Sequence, residues 1–322
     1  MKFVTFGPLI AIQLCLLSRN AEAFANVKNY NSSPVRVGTV TRSALNMVLP
    51  FTQVISDVDD TLKSSGGVKI GDIALGGIDT QYKRGDFYPG VFQFMFELSI
   101  SSFESEVMMI HKNKENSQEK NDGLAPPKVA VLTARAEEFK IALELKEDSK
   151  LAKAFRKTGE ESGVEQWGLG PVLYGSVAEW VIQDRKGLRK FSNFERLIGQ
   201  DPTGEIMEYV YVGDTGEMDQ EAGETMLREY PEVVKAVFLH VVSEEPSPTI
   251  PARKLVNGRP VIFFRTYVGA AVSACKLGLI SESAMMRIVV AAQQSLDDVD
   301  RASDKWQDLN KDISEVNRVI TD

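Results

Sequence analysis

The sequence predicts an α/β protein with a doubly wound parallel sheet, and two observations predict it. Short apolar, β-branched runs at 51–55, 129–132, 172–174, 208–212 and 234–242 alternate with helical patterns. Continuous apolar runs of that length suit strands buried on both faces, and their alternation with helices gives a parallel sheet covered on both sides. Four of the runs also end in groups that can do chemistry: Asp57, Thr133, Gly175-Ser176 and Asp214. In such sheets ligands bind beyond the carboxyl ends of the strands, so the topology gathers these residues.

The elements follow in order. The stretch 63–87 is rich in glycine (Gly66, Gly67, Gly71, Gly76, Gly77, Gly85) and reads as a hairpin or small flap. Pro89 suits a first helical turn, and 91–103 carries an apolar helical pattern. The polar tract 111–127, closing on Pro126-Pro127, reads as an exposed loop insertion. Helix is expected over 136–156 and again up to Ile198. Little or no cap is expected, because 136–170 is too short for a full independent one. Near the C-terminus, Trp306, Leu309, Ile313, Val316 and Ile320 make the seam of an amphipathic helix. Asp297, Asp298, Asp300, Asp304, Asp308 and Asp312 form its acidic flank. That seam predicts packing on the domain or self-association with an identical chain, because membrane-surface helices carry Lys and Arg instead.

Composition excludes some classes. Of the 322 residues, 43% are hydrophobic and 25% charged, ordinary values for a globular protein. A net charge of −8 argues against a nucleic-acid partner, which requires a basic face, and against purely electrostatic docking on anionic lipid.

Asp57-Val58-Asp59-Asp60-Thr61 is the central motif. In extended backbone, residues i and i+2 share a side, so Asp57 and Asp59 can bring two carboxyl groups into one small volume. Two close carboxylates repel unless a cation neutralises them or one holds a proton. A hard divalent cation such as Mg²⁺ prefers such oxygens, and an Asp held near it can act as a covalent nucleophile. The second carboxyl can serve as general acid and then general base. A second acidic loop, Gly213-Asp214-Thr215-Gly216-Glu217-Met218-Asp219, ends another buried strand. Asp214 can complete a metal shell, while Asp219 holds a metal-bound water or an outer contact. Thr133 can donate to a transferring phosphoryl oxygen, and one of Arg185, Lys186, Arg189 and Lys190 can neutralise its charge.

In chain order, the Asp57 motif, Thr133, Lys190 and the Gly213-Asp214 loop resemble the four motifs of the haloacid dehalogenase superfamily. The resemblance implies that fold, with Asp57 as nucleophile, Asp59 as acid/base, Thr133 as phosphoryl-oxygen donor and Lys190 as the charge-balancing lysine. It implies Mg²⁺ held by Asp57, Asp59 (through its backbone carbonyl) and Asp214. Lys190 is preferred to Lys186 because Phe194 follows one turn later, as in the family. Ser56 to Lys63, Phe87-Tyr88-Pro89-Gly90-Val91, Leu132-Thr133-Ala134-Arg135 and Leu173-Tyr174-Gly175-Ser176 are similar to the actin-patch-type phosphatidate phosphatase catalytic domain, a relative of lipins. The chain departs from that pattern in Arg189, where a His is usual, and in Thr215-Gly216-Glu217, where Ser-Gly-Gln is usual. The resemblance implies hydrolysis of phosphatidic acid to diacylglycerol at a membrane surface. A soluble small-molecule phosphatase and a non-catalytic phospholipid-binding module are the alternatives. An uncapped site favours a bulky or interfacial substrate, since water exclusion must then come from the substrate or its membrane.

The expected organisation is therefore a signal peptide at 1–23, a transit-peptide-like segment at 24–50, the phosphatase domain at 51–270 and a helical tail at 271–322. The apolar run 3–17 is of signal-peptide length, Ala21-Glu22-Ala23 is a cleavage pattern, and 24–56 has no acid. Together they look like the bipartite plastid leader of algae, with secretion as the alternative. Once Cys15 leaves with the signal, Cys275 is the one cysteine and no internal disulfide can form.

Overall fold

A computed structural model describes residues 51–67, 69–70, 73–74, 78–105, 107, 126–136, 147–175, 186–201, 206–216, 218–245 and 248–321. The leader expected at 1–50, Ser176, Arg185 and Glu217 lie outside them, as does most of the 111–127 tract.

The protein is α/β, with a mostly parallel sheet of seven strands. Its elements begin with β1 (Phe51–Ser56), the short antiparallel pair β2 (Lys69–Ile70) and β3 (Ile73–Ala74), and helix α1 (Val91–Ile100). Next come β4 (Val129–Ala136), α2 (Lys150–Glu161), β5 (Leu169–Gly175), α3 (Lys186–Gly199), β6 (Ile206–Asp214), α4 (Asp219–Glu229) and β7 (Val234–His240). The chain closes with β8 (Lys254–Val256), β9 (Arg259–Phe264), α5 (Tyr267–Lys276), α6 (Glu282–Gln294) and α7 (Asp304–Thr321).

The strand order is β5-β4-β1-β6-β7-β9-β8, and only the β8–β9 pair is antiparallel. Chain direction across the sheet reverses at β1: β4 and β5 lie to one side, β6 and β7 to the other. The crevice at such a reversal, beyond the carboxyl ends of the strands, is where these sheets take ligands.

Period-two alternation divides the core between two faces. Val54, Val210, Val212 and Phe238 point into one cluster with residues of α1, α2, α5, α6 and α7. Ile55, Tyr209, Tyr211, Val237 and Leu239 point into the other, with Phe194 and Leu197 of α3 and Met226 and Leu227 of α4. Central strands are buried on both sides, and in β1 every residue after Phe51 is buried, with Gln53 Nε2 donating to the Lys128 carbonyl at 2.6 Å.

Helix starts carry local signals. Ser149, Thr266 and Ser281 accept N–H bonds from Ala152, Gly269 and Ala284 and cap α2, α5 and α6. Gly90 precedes α1 at φ 80°, and a Cβ there would lie 3.1 Å from the Ala292 Cβ, so the position needs glycine twice over.

Two helical expectations need correction. Of the helix expected over 136–156, Ala136 belongs to β4, 147–149 form a turn and α2 begins at Lys150 with Ser149 as its cap, while 137–146 lie outside the described residues. The α-helix expected over 91–103 gives way to a 3-10 turn at Ser101–Phe103. At the C-terminus, Trp306, Leu309 and Val316 are buried in the same core as α1. Asp308 and Asp312, expected on the solvated acidic flank, face inward to Arg265 and Thr266, since spacing alone cannot reveal polar partners on a neighbouring element. All described residues fall in one compact unit, Val48–Asp322. No helix among them is long and apolar enough to cross a membrane.

Candidate active site

β1 ends at Ser56 and its neighbour β6 continues to Asp214, with Ser56 level with Val212. The Asp57 N–H donates to the Val212 carbonyl at 3.0 Å, so the backbone carries Asp57 beside the end of β6. Asp57 and Asp214 thus stand on the two strands that flank the reversal.

Asp219 joins them from the first turn of α4, where the helix dipole favours a carboxylate. Its Oδ2 accepts the Asp214 N–H at 3.1 Å. This close approach requires glycine at 213, because a Cβ there would lie 2.7 Å from the Asp219 Cβ. Asp214 Oδ1 in turn accepts the Gly216 N–H, an Asx-type turn that fixes the acidic loop. Asp57, Asp214 and Asp219 each offer a carboxylate oxygen within 4.8 Å of the others, and all three are buried. That cluster could hold a metal ion.

Lys190 enters from α3. Its Nζ donates to Asp57 Oδ1 at 3.1 Å and to Asp219 Oδ1, and none of its surface reaches solvent. Buried charges persist only when paired and hydrogen-bonded. The Lys186 side chain lies outside the described residues. Arg189, one residue earlier, is also buried at 5% exposure. Thr133 is buried on β4, where Val131 is level with Ser56, so its hydroxyl-bearing residue stands two places further along the strand next to β1.

Asp59 is half-buried and is not one of the three converging carboxylates. The residue after it organises the loop. Asp60 takes φ 55°, a left-handed conformation that is strained for a side chain with a Cβ, and it is wholly buried. Its carboxylate accepts N–H bonds from Ser65 and Ile78 at 2.7 Å and from Asp79 at 3.1 Å. The Ser65 hydroxyl donates at 3.1 Å, and the Tyr88 hydroxyl lies 3.4 Å away. Tyr267 donates its hydroxyl to the Thr61 carbonyl at 2.7 Å.

Burial pushes the Tyr267 phenol well above its ordinary range, and the charges of Asp214 and Asp57 add to the shift. Burial and then Asp219 do the same for Tyr211. Both phenols therefore stay protonated. His240 at the end of β7 has Nδ1 2.7 Å from the Asp60 carbonyl oxygen and Nε2 3.0 Å from that of Arg265. Two facing carbonyls favour a second proton, but complete burial outweighs them and the Arg265 charge works in the same direction, so its pKa falls below 6.5.

The structure therefore brings Asp57, Asp214, Asp219 and Lys190 together, sets Thr133 on the adjoining strand, and keeps the Asp59 side chain out of the carboxylate cluster. Sequence reasoning missed Asp60, Asp79, Tyr88, His240, Arg265 and Tyr267. Asp60, as the third acid of the Asp57 motif, and Tyr88, within the 87–91 motif, carried a sequence signal. Compared with protein-family models, with curated proteins and with solved structures, the chain gives no match in any of the three.

Proposed function

We propose that the chain is a Mg²⁺-dependent phosphomonoester hydrolase of the haloacid dehalogenase type, working through an aspartyl phosphate on Asp57, with phosphatidic acid as its substrate. One observation carries the reading: a buried lysine bridges two of three buried carboxylates that converge at the sheet's reversal point.

The donor set suits a hard cation. Three carboxylates opposed by the Lys190 ammonium leave net negative charge in a space lined by oxygen, the chemistry Mg²⁺ selects. Asp57, Asp214 and the Asp59 backbone carbonyl would hold it, with Asp219 as a further contact. When bound, the ion neutralises charge on the phosphoryl oxygens.

The side chains account for the steps. An oxygen of Asp57 attacks phosphorus while Asp59 gives its proton to the departing alkoxide. The Asp59 carboxylate then takes a proton from water, whose oxygen attacks the phosphorus of the aspartyl phosphate and restores Asp57. Thr133 donates to a phosphoryl oxygen, and Lys190 offsets charge as it builds on the transferring group. Asp59 is outside the carboxylate cluster and half-buried, which suits a group that must accept and release a proton.

Phosphatidic acid is favoured by access. The hairpin of β2 and β3 is short, and α2 packs with α1 on a face of the sheet rather than forming a separate layer. Among the described residues no element forms a separate cap, and a substrate that arrives with its own apolar surroundings brings water exclusion with it. We place the enzyme in a plastid on its leader sequence.

The test is a panel of phosphatidic acid in vesicles against soluble sugar and nucleotide phosphates, with and without Mg²⁺. Turnover that is fastest on the vesicle substrate and dependent on Mg²⁺ is the expected result. Preference for a soluble phosphate would overturn the substrate, and absence of turnover on every ester would overturn the enzymatic reading.

A further inference from the structure

Asp60 is joined to the C-terminal helix by an unbroken polar chain. The Tyr88 hydroxyl donates its one proton to Asp79 Oδ2 at 2.9 Å and lies 3.4 Å from Asp60 Oδ1. The Arg265 guanidinium lies 3.7 Å from Asp79 Oδ1 and donates to the Val241 carbonyl and to Gln81 Oε1, each at 2.7 Å. Arg265 Nε and Gln81 Nε2 both donate to Asp308 Oδ2, at 3.3 and 3.0 Å. His240 closes the circuit between the Asp60 and Arg265 carbonyls. Arg265 is 6% exposed and Asp60 and Asp79 are wholly buried, so the bonds at that end of the chain act away from water, while those to Gln81 and Asp308 are part-buried.

Such a chain has more to do than hold a helix in place. Asp60 is strained at φ 55° and directly follows Asp59, so whatever holds Asp60 also restrains the peptide that joins the two. Its conformation is kept by donors from 65, 78 and 79, and the 78–81 segment is in turn held by Arg265 and Asp308.

We propose that Arg265 and Asp308 are positioning residues for proton transfer by Asp59: they brace the far end of the 57–88 loop against α7, and Asp60 passes the restraint to its neighbour. The proposal rests on the phosphatase reading above. It makes α7, about 250 residues from the motif in sequence, part of the apparatus that aims the acid. A misaimed acid matters most when the leaving group needs a proton, so the brace has a signature that a purely structural role lacks.

Full-length parent, Asp308→Asn, Gln81→Ala and Asp304→Asn proteins are compared with Mg²⁺ on an alkyl phosphate and on nitrophenyl phosphate. Amide hydrogen exchange is read over 60–65 and 78–81 in the same proteins. For Asp308→Asn, kcat on the alkyl ester falls about tenfold or more, while the nitrophenyl ester loses less than about threefold and KM holds. Asp59→Asn shows the same pattern more deeply. The Ser65, Ile78 and Asp79 amides exchange about tenfold faster or more in Asp308→Asn. Gln81→Ala, at a half-buried position, gives a weaker form of both effects should Asp308→Asn fail to fold. Asp304→Asn, an exposed acid on the same helix, matches the parent. Equal losses on the two esters, or exchange unchanged at the three amides, overturn the proposal. A parent inactive on both esters overturns the phosphatase reading and the proton-transfer half of this one, and the exchange result then judges the brace by itself.

Discussion

Lys190 Nζ sits 3.1 Å from Asp57 Oδ1, with both side chains buried. The ammonium also reaches Asp219, so one lysine from α3 links the loop after β1 to the start of α4. Removing one partner of such a buried pair leaves an uncompensated charge, which costs far more than the pair contributes.

Lys190→Met therefore lowers stability by about 3–5 kcal/mol and removes turnover. Urea unfolding of the variant and parent checks this. Part of the loss returns with Mg²⁺, because a divalent ion relieves the repulsion among Asp57, Asp214 and Asp219 that the lysine leaves behind. A variant as stable as the parent would detach Lys190 from the cluster.

Mg²⁺ should stabilise the parent by mass action, since only the folded chain assembles the three carboxylates. Saturating metal at about 100 times its Kd raises the unfolding free energy by about 2.7 kcal/mol. Asp214→Asn abolishes most of that increment. Metal-dependent stabilisation that survives the substitution would mean that the ion binds elsewhere.

His240 gives a pH prediction with a definite sign. Its folded pKa lies below 6.5, so the unfolded chain binds the proton first as pH falls. Stability from the neutral ring is present above pH 6.5 and is lost as pH drops below it. His240→Gln removes up to about 1.4 kcal/mol per pH unit from the slope of unfolding free energy between pH 7 and 5. Parallel slopes for parent and variant would contradict the buried neutral ring.

The sheet was legible because its central strands are buried on both faces. Val54-Ile55, Val129 to Leu132 and Tyr209 to Val212 are apolar throughout, and their shortness and alternation with helical patterns mark them as strands. Asp57 and Asp214 were legible for a related reason: acids placed directly after such runs fall on the ligand side of the sheet. The seam of α7 was readable from its spacing, but its polar partners were not. Asp308 and Asp312 resemble a solvated acidic face until β9 delivers Arg265 and Thr266 beside them. The start of α2 at Lys150 follows from a single side chain, Ser149, whose capping bond closes the turn at 147–149. Asp79 and Arg265 stayed hidden because they lie far apart in sequence and meet only through the fold.

The central claim is that Asp57 carries the phosphoryl group, and chemical trapping tests it most directly. Acyl phosphates are reduced by borohydride to alcohols, so quenching turnover with borohydride converts a phosphorylated aspartate into homoserine. Peptide mass spectrometry then reads position 57. The account predicts homoserine there only when substrate and Mg²⁺ are both present, and none in Asp57→Asn, which also fails to turn over. Undiminished Mg²⁺-dependent turnover with aspartate intact at position 57 and no homoserine would contradict it.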